Sequence, residues 1–387
     1  MSRRVLCCSG SLEGGGSERQ LWMLASGLDV ERFEPEVYLL YRRGLYLPQL
    51  PPRIPVHAFD TAYKPFPIYL PGKIHRAQVR HLREVICQRR IDLVYDRTYH
   101  MTLVTAAACR STGTPRVSVI VNPPSRDFCR GQERFFGIKR RLLARAYRNP
   151  RCCVVTVSQA VADDAAEFYG LRRESIEVIP SGVDTEAIRQ AAEREAPEFD
   201  FDSSVDLKVV VVGRLSAQKG QHTVLQAMAA LRQQRPELRI ELQLLGDGPD
   251  REALQQLAAA LKIDDGVRFL GFQSNPYPAI RSADLLCLPS LYEGLPNVVM
   301  EALCLETPVL AADCSGSLRA LLGDGQRGVL VPVGDVPRLA AEMWDRVQQP
   351  AAWQTRAAAG YQWIVQQHGL QPWLQRMQDL FAHRLAG

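Results

Sequence analysis

The sequence predicts an α/β protein of two doubly wound domains, each built on a parallel sheet. Three observations predict it. The chain has 387 residues, too many for one ordinary core and suited to two of roughly 150–200 residues. Its strand candidates, such as 207–212 and 285–288, are continuous apolar runs, as expected for strands buried on both faces. Strand and helix patterns alternate along the chain in two series, separated by a polar stretch near 189–206 that reads as a linker.

In the first series the strands fall at 5–9, 35–41, 54–59, 91–95, 116–121, 152–157 and 176–179. Helices are expected at 17–28, 73–89, 102–109 and 133–148, and a further one to residue 169 capped by Ser158. Residues 44–72 read as largely irregular, and Asn122-Pro-Pro-Ser-Arg-Asp127 as a loop by its prolines. The second series has strands at 207–212, 239–245, 267–270, 285–288, 309–312 and 328–331. Helices at 221–232, 250–261 and 336–348, a helix or turn at 275–283, and a helix opened by Pro296 lie between and after them; helices also fill 351–387, with a break near 369–372. The expected division is a first domain at 1–185, a linker at 186–206 and a second domain at 207–367. In doubly wound sheets ligands sit beyond the carboxyl ends of the strands, so the loops after the strands can converge on one interdomain cleft.

With 46% hydrophobic and 23% charged residues the composition is that of a globular protein. No run approaches the roughly 18–20 apolar residues of a membrane-spanning helix. The start has two arginines but too short an apolar core for a signal peptide. Ten cysteines include the adjacent pairs Cys7-Cys8 and Cys152-Cys153 but no Cys-x-x-Cys, so they read as buried free thiols of a reducing cytosol. The net charge of +5 hides an asymmetry. Residues 1–151 carry 26 Lys and Arg against 12 Asp and Glu, and the remainder 21 against 30. A basic first half suits anionic lipid headgroups or an anionic acceptor, and equally a solvated arginine-rich face.

One stretch concentrates chemistry. Strand 285–288 runs into a turn carrying Glu293 and Gly294, then into the helix opened by Pro296. Backbone N–H groups and a helix dipole converge there on an anion. Glu293 and Glu301 flank the place, and a ligand with both phosphate and hydroxyl groups, such as a nucleotide sugar, suits it. Arg214 and Lys219, five apart in the strand-to-helix loop Gly213–Gly220, can neutralise a diphosphate. Gly14, Gly15 and Gly16 lie between the first strand and first helix, where backbone can approach a ligand. The Gly-x-Gly-x-x-Gly fingerprint is absent there, because residue 19 is Arg, and Gly246-Asp-Gly248 lacks the third glycine. No Walker loop, His-Glu-x-x-His or serine nucleophile elbow occurs.

These motifs make the chain similar to the retaining glycosyltransferases of family 4. The resemblance rests on Val-Gly213-Arg214-Leu with Lys219-Gly220, Leu245-Gly-Asp-Gly-Pro249, Val267-Arg-Phe-Leu-Gly271, Pro289-Ser-Leu-Tyr-Glu293-Gly-Leu-Pro-Asn-Val-Val-Met-Glu301-Ala and Gly328-Val-Leu-Val331. Gly14–Gly16, Val157-Ser158 and Ile179-Pro-Ser-Gly182-Val-Asp184 extend it through the first half. It implies the GT-B fold, two Rossmann-like domains facing across a cleft, with a C-terminal helix at 368–387 returning to the first domain. Arg214 and Lys219 would bind the donor diphosphate and stabilise the leaving charge, and Glu293 would contact donor sugar hydroxyls. Glu301 would hold the ribose, backbone around Gly294, Leu295, Pro296, Asn297 and Val298 would meet sugar and phosphate, and Gly271 and Phe272 would meet the base. Gly14–Gly16 would close over the diphosphate.

The chain departs from the family at Asn122, where many members carry a histidine near the reacting sugar. An amide can hydrogen-bond a hydroxyl but cannot shuttle a proton at neutral pH. His100 and Asp127 are the candidate substitutes, with Arg126 beside them on the acceptor side. The expectation is a hexosyl transfer from a nucleoside-diphosphate sugar to a saccharide or lipid-linked acceptor, with no cofactor, no metal and no nucleic-acid partner. It would work in the cytoplasm, peripheral to the inner face of the membrane. A nucleotide-sugar epimerase or hydrolase of the same fold, or a non-catalytic partner subunit, are the alternatives.

Overall fold

The computed structural model describes residues 2–62, 72–130 and 135–386. The chain forms two compact units: residues up to 182 with those from 371 onward, and residues 183–370.

Unit 1 holds seven strands: β1 (Arg3–Ser9), β2 (Phe33–Leu39), β3 (Val56–Ala58), β4 (Leu93–Arg97), β5 (Arg116–Ile120), β6 (Cys152–Thr156) and β7 (Ile176–Val178). They pair in parallel in the order β3-β2-β1-β4-β5-β6-β7. The order reverses between β1 and β4, which makes that gap the switch point of the sheet. Leu6, Cys8, Tyr38 and Val94 pack on one face against Leu82, Val85 and Ile86 of helix Lys73–Arg89 and Val104 and Ala108 of helix Tyr99–Thr112. Asp96 is fully buried and accepts hydrogen bonds from Thr102 (2.6 Å), Thr105 (2.7 Å) and Ser118 (2.7 Å), with Arg116 at 3.6 Å. A buried charge so fully partnered ties β4, β5 and the intervening helix together. Helix Leu370–Ala386 buries Trp373, Leu374, Met377 and Phe381, and Phe381 meets Phe33 and Tyr95 edge-on.

Unit 2 holds β8 (Leu207–Val212), β9 (Ile240–Leu245), β10 (Val267–Gly271), β11 (Leu285–Leu288), β12 (Val309–Ala312) and β13 (Val329–Val331), all parallel, in the order β10-β9-β8-β11-β12-β13. Side chains alternate between faces, so Val209, Val211, Leu242 and Leu244 enter one core while Val210, Leu245, Leu286 and Leu288 enter the other. Both faces are covered by helices, as the continuous apolar strands require. Here the order reverses between β8 and β11.

Three expectations are corrected. The proline-rich loop at 122–127 is in part a helix, Pro124–Arg130, because a proline's fixed φ suits a first helical turn. Asp164 holds its start by accepting from the Ser125 amide (3.0 Å) and hydroxyl. The helix expected at 102–109 begins earlier, at Tyr99, and takes His100 into its first turn. The stretch expected as a linker at 186–206 is built into unit 2. Asp184 caps helix Thr185–Ala192 through the Ala187 amide (3.0 Å), and Ile188, Ala192 and Phe199 enter the core. Arg189 reaches the Cys304 carbonyl (3.2 Å) and Glu306 (3.1 Å). The start of the helix expected at 133, and most of the second half of the irregular stretch at 44–72, lie outside the described residues.

Candidate functional site

The switch point of unit 2 brings together the loops after β8, β9 and β11. Their close approach depends on glycine. Gly220 has φ +64°, and a Cβ there would collide with the Pro289 carbonyl. Gly246, at φ +143°, leaves room for the Gly213 carbonyl. The loops are then stitched by the Leu291 amide to the Gln218 carbonyl (2.8 Å), Gln218 Nε2 to the Tyr292 carbonyl (3.2 Å), and Gln221 Nε2 to the Arg214 carbonyl (2.9 Å).

In this frame Lys219 Nζ donates to Glu293 Oε1 at 2.7 Å, and Ser290 Oγ donates to the same oxygen at 2.7 Å. Ser290 is fully buried; the Glu293 side chain is 6% exposed and that of Lys219 23%. The lysine therefore keeps an open side while its charge is fixed in place. Arg214 is exposed and forms no ion pair among the described residues. Gly294 and Pro296 are buried, Leu295 and Val298 half-buried.

Pro296 stands just before the helix, which runs Asn297–Cys304, one residue later than expected at its start. No side chain caps it, and the Oδ1 of Asn297 is buried with no partner among the described residues. Uncapped first-turn amides and an unsatisfied amide oxygen suit a polar ligand at that end. Glu301 is buried one turn further in. Gly271 ends β10 at φ +69° with its carbonyl accepting from the Gly246 amide (2.7 Å), and Phe272 beyond it is 59% exposed. Arg214, Lys219, Glu293, Gly294–Val298, Glu301, Gly271 and Phe272 thus all lie in unit 2.

Unit 1 carries the others. Gly14 has φ +132°, Gly15 is the uncapped N-cap, and the helix begins at Gly16. Glu18 folds back over Gly15, and its burial raises its carboxyl above the usual range. Asn122 and Asp127 are hydrogen-bonded partners; burial raises the Asp127 carboxyl, and the Asn122 bond opposes this. Arg126 and His100 are exposed. Sequence reasoning missed Ser290 and Gln218, since neither residue type signals a role without the fold. It also missed the end of β4 at the switch point. There Arg97 is 6% exposed with Nε unpartnered, and Thr98 sits at φ +72°, ψ 143°, a region that non-glycine residues rarely adopt. Among the described residues no three His, Cys, Asp or Glu side chains gather as a metal cage.

Comparison with known proteins follows the same division. The Glycosyltransferase Family 4 pattern matches residues 14–187, and the Glycosyl transferases group 1 pattern matches residues 206–349. The chain belongs to glycosyltransferase family 4. The family 4 fold extends over nearly the whole chain: Anabaena HepE, in its structure with UDP and glucose, aligns at a TM-score of 0.81 over 99% of this chain and 100% of that one, at 23% identity. The lipopolysaccharide core glycosyltransferase LpsE of Rhizobium meliloti is 30% identical over 215 residues, which span 56% of this chain and 59% of LpsE. The putative glycosyltransferase EpsD of Bacillus subtilis is 27% identical over 288 residues, 71% of this chain and 72% of EpsD. The chain thus has the GT-B fold and is related to glycosyltransferases such as one named for lipopolysaccharide core synthesis.

Proposed function

We propose that the enzyme transfers a hexose-type sugar from a nucleoside-diphosphate sugar to an acceptor hydroxyl with retention of anomeric configuration, without a metal. The observation that carries this is the Lys219–Glu293 pair at 2.7 Å beside the uncapped helix at Asn297. A diphosphate on that helix end would meet Lys219 and the exposed Arg214, whose charges offset the negative charge that grows as the glycosidic bond breaks. Glu293 is held by Lys219 and Ser290, which suits it to accept from sugar hydroxyls rather than to attack carbon. Glu301 takes the ribose hydroxyls and the segment at Gly271–Phe272 meets the base. That HepE was solved with UDP-glucose supports a donor of this class.

In the step itself the acceptor oxygen bonds to the anomeric carbon as the carbon–oxygen bond to the diphosphate breaks. The bonding pair leaves with the phosphate, and the hydroxyl proton passes to a phosphate oxygen. Positioning and fixed charge then supply the catalysis. On the acceptor side Asn122, oriented by Asp127, would hydrogen-bond a sugar hydroxyl, with His100 and Arg126 as further candidates in the same unit. Gly14–Gly16 would bring backbone amides to the diphosphate. The acceptor class is a saccharide or a lipid-linked saccharide at the cytoplasmic face of an anionic membrane, supported by the basic first half and by relatives named for lipopolysaccharide synthesis. Among the described residues no helix is long and apolar enough to cross a membrane.

The test is proton NMR of purified enzyme with a panel of nucleotide sugars and saccharide acceptors. A new glycosidic bond with the donor's anomeric configuration is the expected product. Inversion, or epimerised or hydrolysed donor as the sole product with every acceptor, would overturn the assignment.

A further inference from the structure

Helix Phe136–Tyr147 has its polarity arranged unusually. Leu143, Ala144, Ala146 and Tyr147 face the core of unit 1. The opposite face presents Ile138, Arg141, Leu142 and Arg145, at the i, i+3, i+4, i+7 spacing of a single stripe. An outward face is ordinarily polar throughout, yet Ile138 is 58% exposed and Leu142 48%. Phe135, just before the helix, is 68% exposed. Arg141 and Arg145 have no carboxylate partner among the described residues, and the helix contains no acidic residue. Arg140 differs: its guanidinium donates to the Phe168 carbonyl at 2.7 and 2.9 Å and stacks on the Phe168 ring. A cleft of about 860 Å³ opens between this helix and the end of helix Gln159–Tyr169.

We propose that this face docks unit 1 on an anionic lipid surface, with Phe135, Ile138 and Leu142 entering the headgroup–acyl boundary and Arg141 and Arg145 pairing with lipid phosphates. The charge pattern selects this occupant. Two unpaired guanidinium groups beside three exposed apolar side chains match a surface that is anionic outside and apolar beneath. A water-soluble polyanion would leave the apolar stripe wet, and an apolar protein face would leave the arginines unpaired. The docking specifies the membrane contact of the function proposed above. Its residues are distinct from those proposed for the donor, which are Gly14–Gly16 of unit 1 and the cluster in unit 2.

The experiment is vesicle co-sedimentation of the full chain. Vesicles of phosphatidylcholine alone are compared with vesicles containing phosphatidylglycerol, at low and physiological salt. Wild type is expected to favour the anionic vesicles at least tenfold, about fivefold for each arginine. Phe135→Ser/Ile138→Ser/Leu142→Ser is expected to lose about tenfold or more of its affinity at both salt concentrations. Arg141→Gln/Arg145→Gln is expected to lose the anionic preference while keeping weak binding. All substitutions are at exposed positions, and an unchanged nucleotide-sugar thermal shift in the same preparations reports intact unit 2. Binding of the triple variant equal to wild type overturns the proposal. So does a wild-type dimer, seen by sedimentation velocity, that the triple variant dissolves with no change in vesicle binding. Failure of the nucleotide-sugar shift with intact vesicle binding would instead count against the donor reading alone.

Discussion

At the scale of single residues, the site in unit 2 depends on fixed charge. Lys219 is held by Glu293, and Glu293 by Ser290, so in the proposed reaction neither cation nor carboxylate would have to reorganise as charge shifts to the leaving diphosphate. Lys219→Ala is therefore expected to lower kcat by roughly 10²–10³-fold, read in steady-state assays. Ser290→Ala is expected to act less, by about tenfold, through a loosened Glu293. A second residue-scale prediction concerns pH. Burial pushes the Glu36 carboxyl up, but hydrogen bonds from His57 (2.6 Å) and Arg89 (2.9 and 3.1 Å) outweigh it, and its pKa is lowered. A carboxyl with a lowered folded-state pKa contributes stability above its unfolded pKa, and that stability is lost as pH falls through the folded value. Glu36→Gln is thus expected to cost about 1–3 kcal/mol at neutral pH and progressively less in acid, read by denaturant titration at several pH values. The thiols that burial raises should be inert, whereas Cys87 is exposed. Burial pushes Cys7, Cys109, Cys153, Cys287 and Cys314 up to about 12. The nine described cysteines are all free.

At the scale of elements, glycines govern how closely the loops nest. Gly220→Ala forces a side chain into φ +64° and into the Pro289 carbonyl. It is expected to destabilise unit 2 by about 1–3 kcal/mol and to weaken donor binding together with stability, read by thermal unfolding with and without nucleotide. Ile188→Ala tests the element that polarity concealed: it is expected to cost about 2–5 kcal/mol, where a true linker would cost nothing measurable. These elements also mark what the sequence made legible. Strands such as β8 and β11 were readable because burial on both faces leaves an uninterrupted apolar run. Helix Thr185–Ala192 was not, because its buried positions are only Ile188 and Ala192 among charged neighbours. Pro124 misled in the other direction, since proline breaks a helix interior but fits a first turn. The proposed donor-side residues stand out in the sequence as a spacing, Glu293 to Glu301 and Arg214 to Lys219, and the structure joins Lys219 to Glu293. Ser290, Gln218 and the strained Thr98 were not, because hydrogen-bond partners and backbone angles leave no mark in a residue's identity.

At the scale of the whole molecule, two parallel sheets each reverse strand order once, and ligand-binding candidates collect at both reversals. In unit 2 the reversal gathers Arg214, Lys219, Glu293 and the uncapped helix at Asn297. In unit 1 it gathers Gly14–Gly16, Arg97 and Thr98. The basic residues concentrate in the first half and most of the proposed donor residues in the second, so affinity for a membrane and affinity for a nucleotide sugar should be separable by mutation. The central claim is that unit 2 binds the diphosphate of a nucleotide sugar through Arg214 and Lys219. Isothermal titration of a nucleoside diphosphate, chosen by thermal shift, into wild type and into Arg214→Ala/Lys219→Ala tests it most directly. Loss of about 10²-fold or more in affinity, with the unfolding temperature of the free protein preserved, is the result expected from removing two charge-assisted contacts. Equal affinity in the two proteins would contradict it.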